Sequence, residues 1–349
     1  MLGSFSGLRV LVTGHTGFKG AWLSWTLARA GASVVGYSLD PPTSPNLFEQ
    51  SRLSDHMASH IGDIRDLNSL DRVFRNSSPD VVFHLAAQPL VRRSYADPVG
   101  TYSTNVMGTV NVLECVRQCP SVRSVVNVTT DKVYLNQEWE WPYRENDALD
   151  GYDPYSNSKS CSELVTGAYS RSFLRDRGVA VSTARAGNVI GGGDYAQDRI
   201  IPDCVRAVQS GERILVRSPE STRPYQHVLD PVFAYLLIAS AQLSNPLLAA
   251  EWNIGPSVDD VVATAKLVSY FCQAWGVGAS WEVMAPQGPV VHEASRLALD
   301  STRIAALLGW RPRWRTQAAV ERVVRWAKDQ ARGIPARDLI DRDLREYMG

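Results

Sequence analysis

The stretch LRVLVTGHTGFKGAWLSWTLARAG (residues 8–31) holds three pieces in a fixed order. A short apolar run ends at Gly14, a glycine-rich loop follows, and an amphipathic segment closes at Gly31. Gly14, Gly17 and Gly20 have GxxGxxG spacing. Glycines between a strand and a helix permit a tight turn and close approach of backbone to a pyrophosphate. The helix start supplies N–H donors and the positive end of its dipole. His15, Thr16, Phe18 and Lys19 fill the rest of the loop, so residues 14–20 together are the expected dinucleotide cradle.

Outward from this stretch the same alternation repeats. Strands are expected at 33–39, 81–87 and 124–130, and helices at 69–80 and 101–119. A helix over 154–178 is followed by a strand and loop over 179–193. Short apolar strands alternating with helices predict an α/β fold with a parallel, doubly wound sheet. Beyond residue 193 the pattern becomes irregular and rich in Trp, Arg and Pro. A small helix (198–211), a strand (212–219), a longer helix (228–243) and two or three more helices in the tail are expected there. The reading is a dinucleotide-binding domain over 1–190 and a smaller C-terminal α/β substrate-binding region over 191–349, with some segments crossing back.

The chain has 349 residues, 44% of them hydrophobic, enough for a large core. Its 36 basic and 36 acidic residues cancel, so no net field favours nucleic acid or an anionic membrane. The five cysteines form no CxxC pair and have no histidines at metal-ligand spacing. They read as reduced thiols of a cytoplasmic protein without a metal site. The glycine loop starts too early to leave room for a leader, and no apolar run approaches the ~20 residues of a membrane span.

The position where an acid would bond the ribose hydroxyls of NAD falls near Ser38, with Asp40 the nearest acid. No arginine follows to take a 2′-phosphate, whereas His15 and Lys19 add positive charge to the loop. NAD is the expected cofactor. GDIRD (62–66) is placed to set Asp63 and Ile64 against the adenine, with an ordinary strand end as the other reading. His84, inside an apolar strand, reads as a core histidine.

Two further motifs carry chemistry. DPYSNSKS (153–160) places Tyr155 and Lys159 four apart, on one helix face. A nearby ammonium lowers a phenol's pKa, so that the phenolate accepts a hydroxyl proton as hydride leaves the same carbon. VNVTTDKVY (126–134) begins as a buried strand and ends in consecutive hydroxyl, carboxylate and ammonium groups: Thr130, Asp131, Lys132.

With these pieces in view, the chain resembles the nucleotide-sugar branch of the extended short-chain dehydrogenase/reductase family over nearly its whole length. The motifs are TGHTGFKG (13–20), HLAAQPLVRRSY (84–95), STNVMGT (103–109), TTDKVY (129–134), PYSNSK (154–159), RAGNVIGGGD (185–194), RPYQHVLD (223–230) and LGWRP (308–312). EWEWPYREND (138–147) and GGGDYAQDRIIPD (191–203) resemble the branch members that dehydrate CDP-glucose. The resemblance implies a Rossmann-type fold, tightly held NAD bordered also by Leu85, Ala86, Ala87 and Thr104, and a CDP-sugar substrate. It also implies a homodimer built on helices near 101–119 and 155–175, sometimes paired into a tetramer, and a place in deoxysugar synthesis for bacterial surface polysaccharides such as lipopolysaccharide O-antigen.

The C5 proton of a hexose becomes acidic only once C4 is a ketone. In the implied sequence Tyr155 accepts the C4 hydroxyl proton and Thr130 bonds the C4 oxygen. Asp131 protonates the departing C6 hydroxyl, and Lys132 removes the C5 proton. Lys132 is otherwise a stabiliser of the developing enolate or half of a structural ion pair. A simple 4-epimerase has no use for the acid–base pair, which is why a dehydratase is preferred; a 4-epimerase, a dehydratase of another nucleotide-hexose and a non-catalytic NAD sensor are the other readings, and a sensor would need none of Tyr155, Lys159, Asp131 and Lys132. For the substrate diphosphate, Arg199 and Arg223 are the expected clamps. Asn188 is placed to reach a phosphate or hydroxyl, Gln88 to face the hexose, Val216 and Arg217 to line the base pocket, and His227 and His292 to add polar contacts.

Overall fold

The computed structural model describes residues 2–284 and 296–349. Seven strands form one parallel sheet: β1 (Arg9–Thr13), β2 (Ser33–Ser38), β3 (Ala58–Ile61), β4 (Val81–His84), β5 (Ser124–Val128), β6 (Ala180–Ala186) and β7 (Glu251–Ile254). Their order is β7-β6-β5-β4-β1-β2-β3. The chain winds outward from β1 in both directions, so the strand order reverses between β1 and β4. That crevice, at the carboxyl ends of the strands, is where such sheets bind ligands.

The sequence forces both faces of the sheet inward. Val10 and Val12 of β1, Val81 and Phe83 of β4, and Val126 and Val128 of β5 belong to one core. The alternate residues Leu11, Val82 and Val125 belong to a second. Side chains alternate across a strand, so continuous apolar runs need cover on both sides. On the first face lie α1 (Phe18–Arg29), through Trp22 and Leu23, and a late helix, Leu229–Ser244, through Leu229, Val232 and Leu236. On the second lie α2 (Leu67–Ser77), through Leu70 and Phe74, and α3 (Gly108–Gln118), through Val112, Leu113 and Val116.

The expected helix over 101–119 is interrupted. A helical turn at Pro98–Tyr102 passes through a wide π turn, Ser103–Met107, before α3. Within the wide turn Asn105 is buried and bonded to Gln88 and Ser158, a tertiary demand that periodicity does not report. The expected 154–178 helix is regular only over Pro154–Tyr169 (α4), then widens into Ser170–Leu174 and a 3-10 turn. β7 was not expected at all. EWNI is short and half polar, and its pairing along β6 makes it a strand.

Ile200–Gln209 is α5, the late helix Leu229–Ser244 is α6, and Thr264–Trp275 and Thr316–Ala331 are α7 and α8. The short strand Ile214–Val216 pairs in parallel with Trp281–Val283. With α5, α7 and α8 these strands enclose a separate core around Ile214, Val216, Leu267, Phe271 and Val320. The last helix, α9 (Ala336–Met348), returns to the first core through Leu339 and Ile340.

Candidate active site

The glycine loop leaves β1 at the point where strand order reverses. Gly14 has φ +78°, and a Cβ there would lie 2.8 Å from the Ala86 nitrogen. A Cβ on Gly20 would lie 2.0 Å from the Gly14 carbonyl oxygen. Any larger residue at either place forces backbone apart. Gly17 sits at the N-cap of α1 and no side chain caps that helix, so its first-turn N–H groups are offered to a ligand. This bare, close-packed cradle fits a dinucleotide pyrophosphate. Leu85 and Ala86 form its opposite wall, their N–H groups donating to Thr13 Oγ1 at 3.2 Å each, and Ala87 follows, half-buried. Thr16 bonds Ser38 Oγ at 2.8 Å and the Leu39 carbonyl at 2.9 Å, tying the loop to the end of β2. Phe18 packs against the first core, and Thr104 is half-buried in the wide turn.

His15 corrects an expectation. Its ring fills the space over Gly36, and Nε2 bonds Ser59 Oγ at 2.7 Å. Burial, then the nearby His60, lowers its pKa to about 4, so it is neutral and adds no charge to the loop. Lys19 does supply charge, although burial and Arg199 lower its pKa to about 8 against the pull of Asp131 and Asp194. Asp63 and Ile64 follow the end of β3. The Asp63 carboxylate accepts from the Arg65 backbone N–H at 2.9 Å and pairs with its guanidinium at 2.5 Å, while Ile64 packs against Gly108 in the second core. His84 is a core histidine, held between Thr13 (2.7 Å) and Thr109 (3.1 Å).

β5 delivers the catalytic candidates. It ends at Val128, and the chain turns through a short 3-10 segment, Asp131–Val133. α4 starts cleanly: Asp153 caps it by accepting from the Ser156 N–H at 3.0 Å, and Pro154 occupies its first position. Two bonds lock helix to segment. Lys159 Nζ donates to the Val128 carbonyl at 3.1 Å, and Ser160 Oγ donates to the Val133 carbonyl at 2.7 Å.

Tyr155 lies beside Thr130. Burial pushes the phenol up to about 12, and Asp131 adds to that; Thr130 and Arg199 pull it down. This differs from the expected lowering by Lys159. Burial wins, and the opposing cation beside the phenol is Arg199. Lys159 itself falls to about 8 through burial and Lys19, with Glu163 opposing.

Thr130 Oγ1 also donates to Asp131 Oδ1 at 2.9 Å. The other Asp131 oxygen is buried without a partner. Burial raises this carboxyl above its ordinary value although Lys132, Thr130, Arg223 and Lys19 all pull it down. The shift is in the direction an acid needs. Lys132 is half-buried next to it.

The structure thus gathers Thr130, Asp131, Lys132, Tyr155, Lys159, Lys19, Arg199 and Arg223 around one point. Arg199 pairs with Asp194 at 2.9 Å, and Arg223 is 5% exposed with its guanidinium donating to the Thr222 carbonyl at 2.8 Å. Asp194, buried beside Arg199 and Lys19, was missed, although GGGD (191–194) contains it. Asn188 follows β6 half-buried, its carbonyl accepting from the Gln226 N–H at 3.0 Å.

Other expectations are corrected. The Gln88 amide donates to Thr101 and the Leu90 carbonyl and accepts from the Leu90 N–H, so it braces its own turn rather than facing a hexose. His227 is fully buried against Trp22 and Trp314, and burial lowers its pKa to about 3. It is a neutral core residue. Val216 is likewise core, and Arg217 is partly exposed, paired with Asp198 at 2.5 Å. His292 lies outside the described residues. In EWEWPY (138–143), Tyr143 stacks on Tyr134 and Trp139 stacks in turn on Tyr143.

Comparison with known proteins agrees with this geometry. Residues 11–323 match the family model described as GDP-mannose 4,6 dehydratase. The chain is 47% identical over 350 residues to a CDP-glucose 4,6-dehydratase of Salmonella typhimurium, covering 99% of this chain and 97% of the relative. Among solved structures, MoeE5 in complex with UDP-glucuronic acid and NAD has a TM-score of 0.78 at 25% identity, covering 92% of this chain and 99% of that one. The dTDP-glucose 4,6-dehydratase of Bacillus anthracis, in complex with NAD, has a TM-score of 0.76 at 20% identity, covering 93% and 98%. The chain belongs to the GDP-mannose 4,6 dehydratase family, in the nucleotide-sugar branch of the extended short-chain dehydrogenases/reductases.

Proposed function

We propose that the protein is an NAD-dependent lyase converting CDP-glucose to CDP-4-keto-6-deoxyglucose and water. The observation that carries this reading is the placement of Asp131 and Lys132 beside Tyr155 and Thr130, an acid–base pair that epimerisation does not require. The 47% identity to a CDP-glucose 4,6-dehydratase supports both the reaction and the CDP-sugar. NAD, bound in the structures of two relatives, is the cofactor the glycine cradle fits.

Bound NAD supplies a reversible two-electron acceptor for C4 and, when oxidised, a positive charge that lowers the Tyr155 pKa in the direction Arg199 already does. Tyr155 takes the C4 hydroxyl proton, and Thr130 holds the C4 oxygen. Lys159, anchored on the Val128 carbonyl, fixes α4 against β5 and keeps a cation beneath the reacting groups. Lys132 accepts the C5 proton, made acidic by the C4 ketone. Asp131 gives its proton to the departing C6 oxygen, which leaves as water; the hydride taken from C4 would then be returned to C6 by the reduced cofactor and the proton to C5 by Lys132, giving the 6-deoxy ketone with no net redox change. Arg199 and Arg223 meet the diphosphate.

The test is Lys132→Ala with CDP-glucose in deuterium oxide. C4 oxidation is expected to persist, seen as reduced cofactor in a single turnover, while solvent deuterium no longer enters at C5. Normal C5 exchange removes Lys132 as the base.

Among the described residues no helix is long and apolar enough to cross a membrane, which suits a cytoplasmic enzyme of surface-polysaccharide deoxysugar synthesis. A homodimer is supported by exposed apolar residues along the π turn, α4 and the turn after it: Met107, Leu164 and Phe173. Sedimentation velocity giving a monomer mass at micromolar concentration rejects the dimer.

A further inference from the structure

One turn beyond Lys159 on α4, Glu163 is buried and takes no part in the proposed proton transfers. Its carboxylate accepts four hydrogen bonds. Oε1 receives Thr129 Oγ1 at 2.5 Å and Arg185 Nε at 3.0 Å; Oε2 receives Thr183 Oγ1 at 2.6 Å and Arg185 Nη2 at 3.0 Å. Arg185, on β6, is as buried as its partner, each side chain being 2% exposed. Its remaining nitrogen donates to Tyr134 Oη at 2.8 Å and to the Glu145 carbonyl at 3.0 Å, and the guanidinium lies 5.1 Å over the Tyr134 ring. Tyr134 in turn donates to Asn253 Oδ1 on β7 at 2.6 Å.

Thr129 and Tyr134 are the residues that bracket Thr130–Val133. Both ends of the catalytic segment are therefore fastened to one buried charge pair, and that pair is rooted on the helix carrying Tyr155 and Lys159. Stability alone is a weak reason for such a pair, since well-packed apolar residues commonly replace buried ion pairs without loss. A bidentate, fully satisfied carboxylate–guanidinium pair fixes geometry in a way apolar packing does not.

We infer that Glu163 is a positioning residue of the active site, holding the Thr130–Lys132 segment in register with Tyr155 through Thr129 and Arg185. The charges facing Lys159 are Lys19 from α1, Glu163 from its own helix, and His84 from β4, which is neutral; the Val128 carbonyl of β5 accepts its proton. Glu163 is the group that raises its proton affinity, against burial and Lys19. The inference rests on the dehydratase reading.

The test compares Glu163→Gln, Thr129→Val and the wild-type holoenzyme on CDP-glucose across pH 6–9. Glu163→Gln is expected to lower kcat at least tenfold with KM changed less than threefold, and to move the alkaline limb of the kcat profile to lower pH. Thr129→Val, which keeps the ion pair, is expected to lower kcat severalfold with the limb unmoved. Wild-type kcat and an unmoved limb in folded Glu163→Gln overturn the inference. If that variant does not fold, wild-type kcat in Thr129→Val overturns it, because the segment then keeps its register without that bond. A wild-type enzyme making no 4-keto-6-deoxy product defeats the dehydratase reading instead.

Discussion

At the scale of single residues, the burial of Asp131 is set against stability. Asp131 binds its proton more tightly in the folded chain than in the unfolded one, because burial raises its carboxyl. Its contribution to stability is therefore complete below about pH 4, the ordinary aspartate value, and is lost as pH rises through the raised folded value. Asp131→Asn keeps the shape and removes the ionisation. The variant is expected to lose dehydration while melting about 1–3 °C above wild type at pH 8, the gap closing toward pH 4. Melting curves across that range check it; a gap that does not shrink on acidification shows that Asp131 ionisation is not the cause. His15 and His227 make the complementary point. Both stand in sequence motifs, and both are drawn into the interior as neutral rings, a fate fixed by neighbours far away in the chain.

The glycine loop shows how one element depends on unequal glycines. A Cβ on Gly17 would meet the Gly14 oxygen at 3.4 Å, ordinary contact, whereas one on Gly20 would meet it at 2.0 Å. Gly17→Ala is expected to bind NAD within about twofold of wild type, and Gly20→Ala to lose at least tenfold, about 1.4 kcal/mol. Titration calorimetry on cofactor-stripped enzyme distinguishes them, and equal losses disprove the ranking. The strand–loop–helix unit was legible because local spacing and apolar periodicity specify it. So were Thr130, Asp131, Lys132, Tyr155 and Lys159, which sit next to the elements that carry them. What was not legible depends on contacts between distant segments. The π turn at Ser103–Met107 holds a residue bonded across to Gln88 and Ser158, β7 exists through its partner β6, and the Gln88 amide is consumed by Thr101. Local sequence likewise could not show that Arg217, expected at the base pocket, pairs with Asp198.

For the whole molecule, the boundary near residue 190 divides the chain by sequence pattern but does not divide its core. β7 pairs along β6 from Thr183 to Ala186. α6 buries Leu229, Val232, Leu236 and Ile238 in the same core as β1 and β4, and α9 adds Leu339 and Ile340. At ~1.5–3 kcal/mol for each fully buried side chain, these six are comparable with the ~5–15 kcal/mol net stability of a typical domain. A fragment ending at residue 190 strips α6 and α9 from one face of the sheet, leaving α1 there, and leaves the β6 edge unpaired, an invitation to edge-to-edge association. It is expected to lack a cooperative thermal transition, to bind a hydrophobic dye and to aggregate at micromolar concentration, even with NAD present, although it carries the whole glycine loop and the Tyr155–Lys159 pair. The full chain under the same conditions is expected to melt cooperatively. A fragment 1–190 that melts cooperatively and binds NAD would make residues 191–349 an appended module. Its failure to do so would mean that residues 191–349 complete the fold that carries the glycine loop.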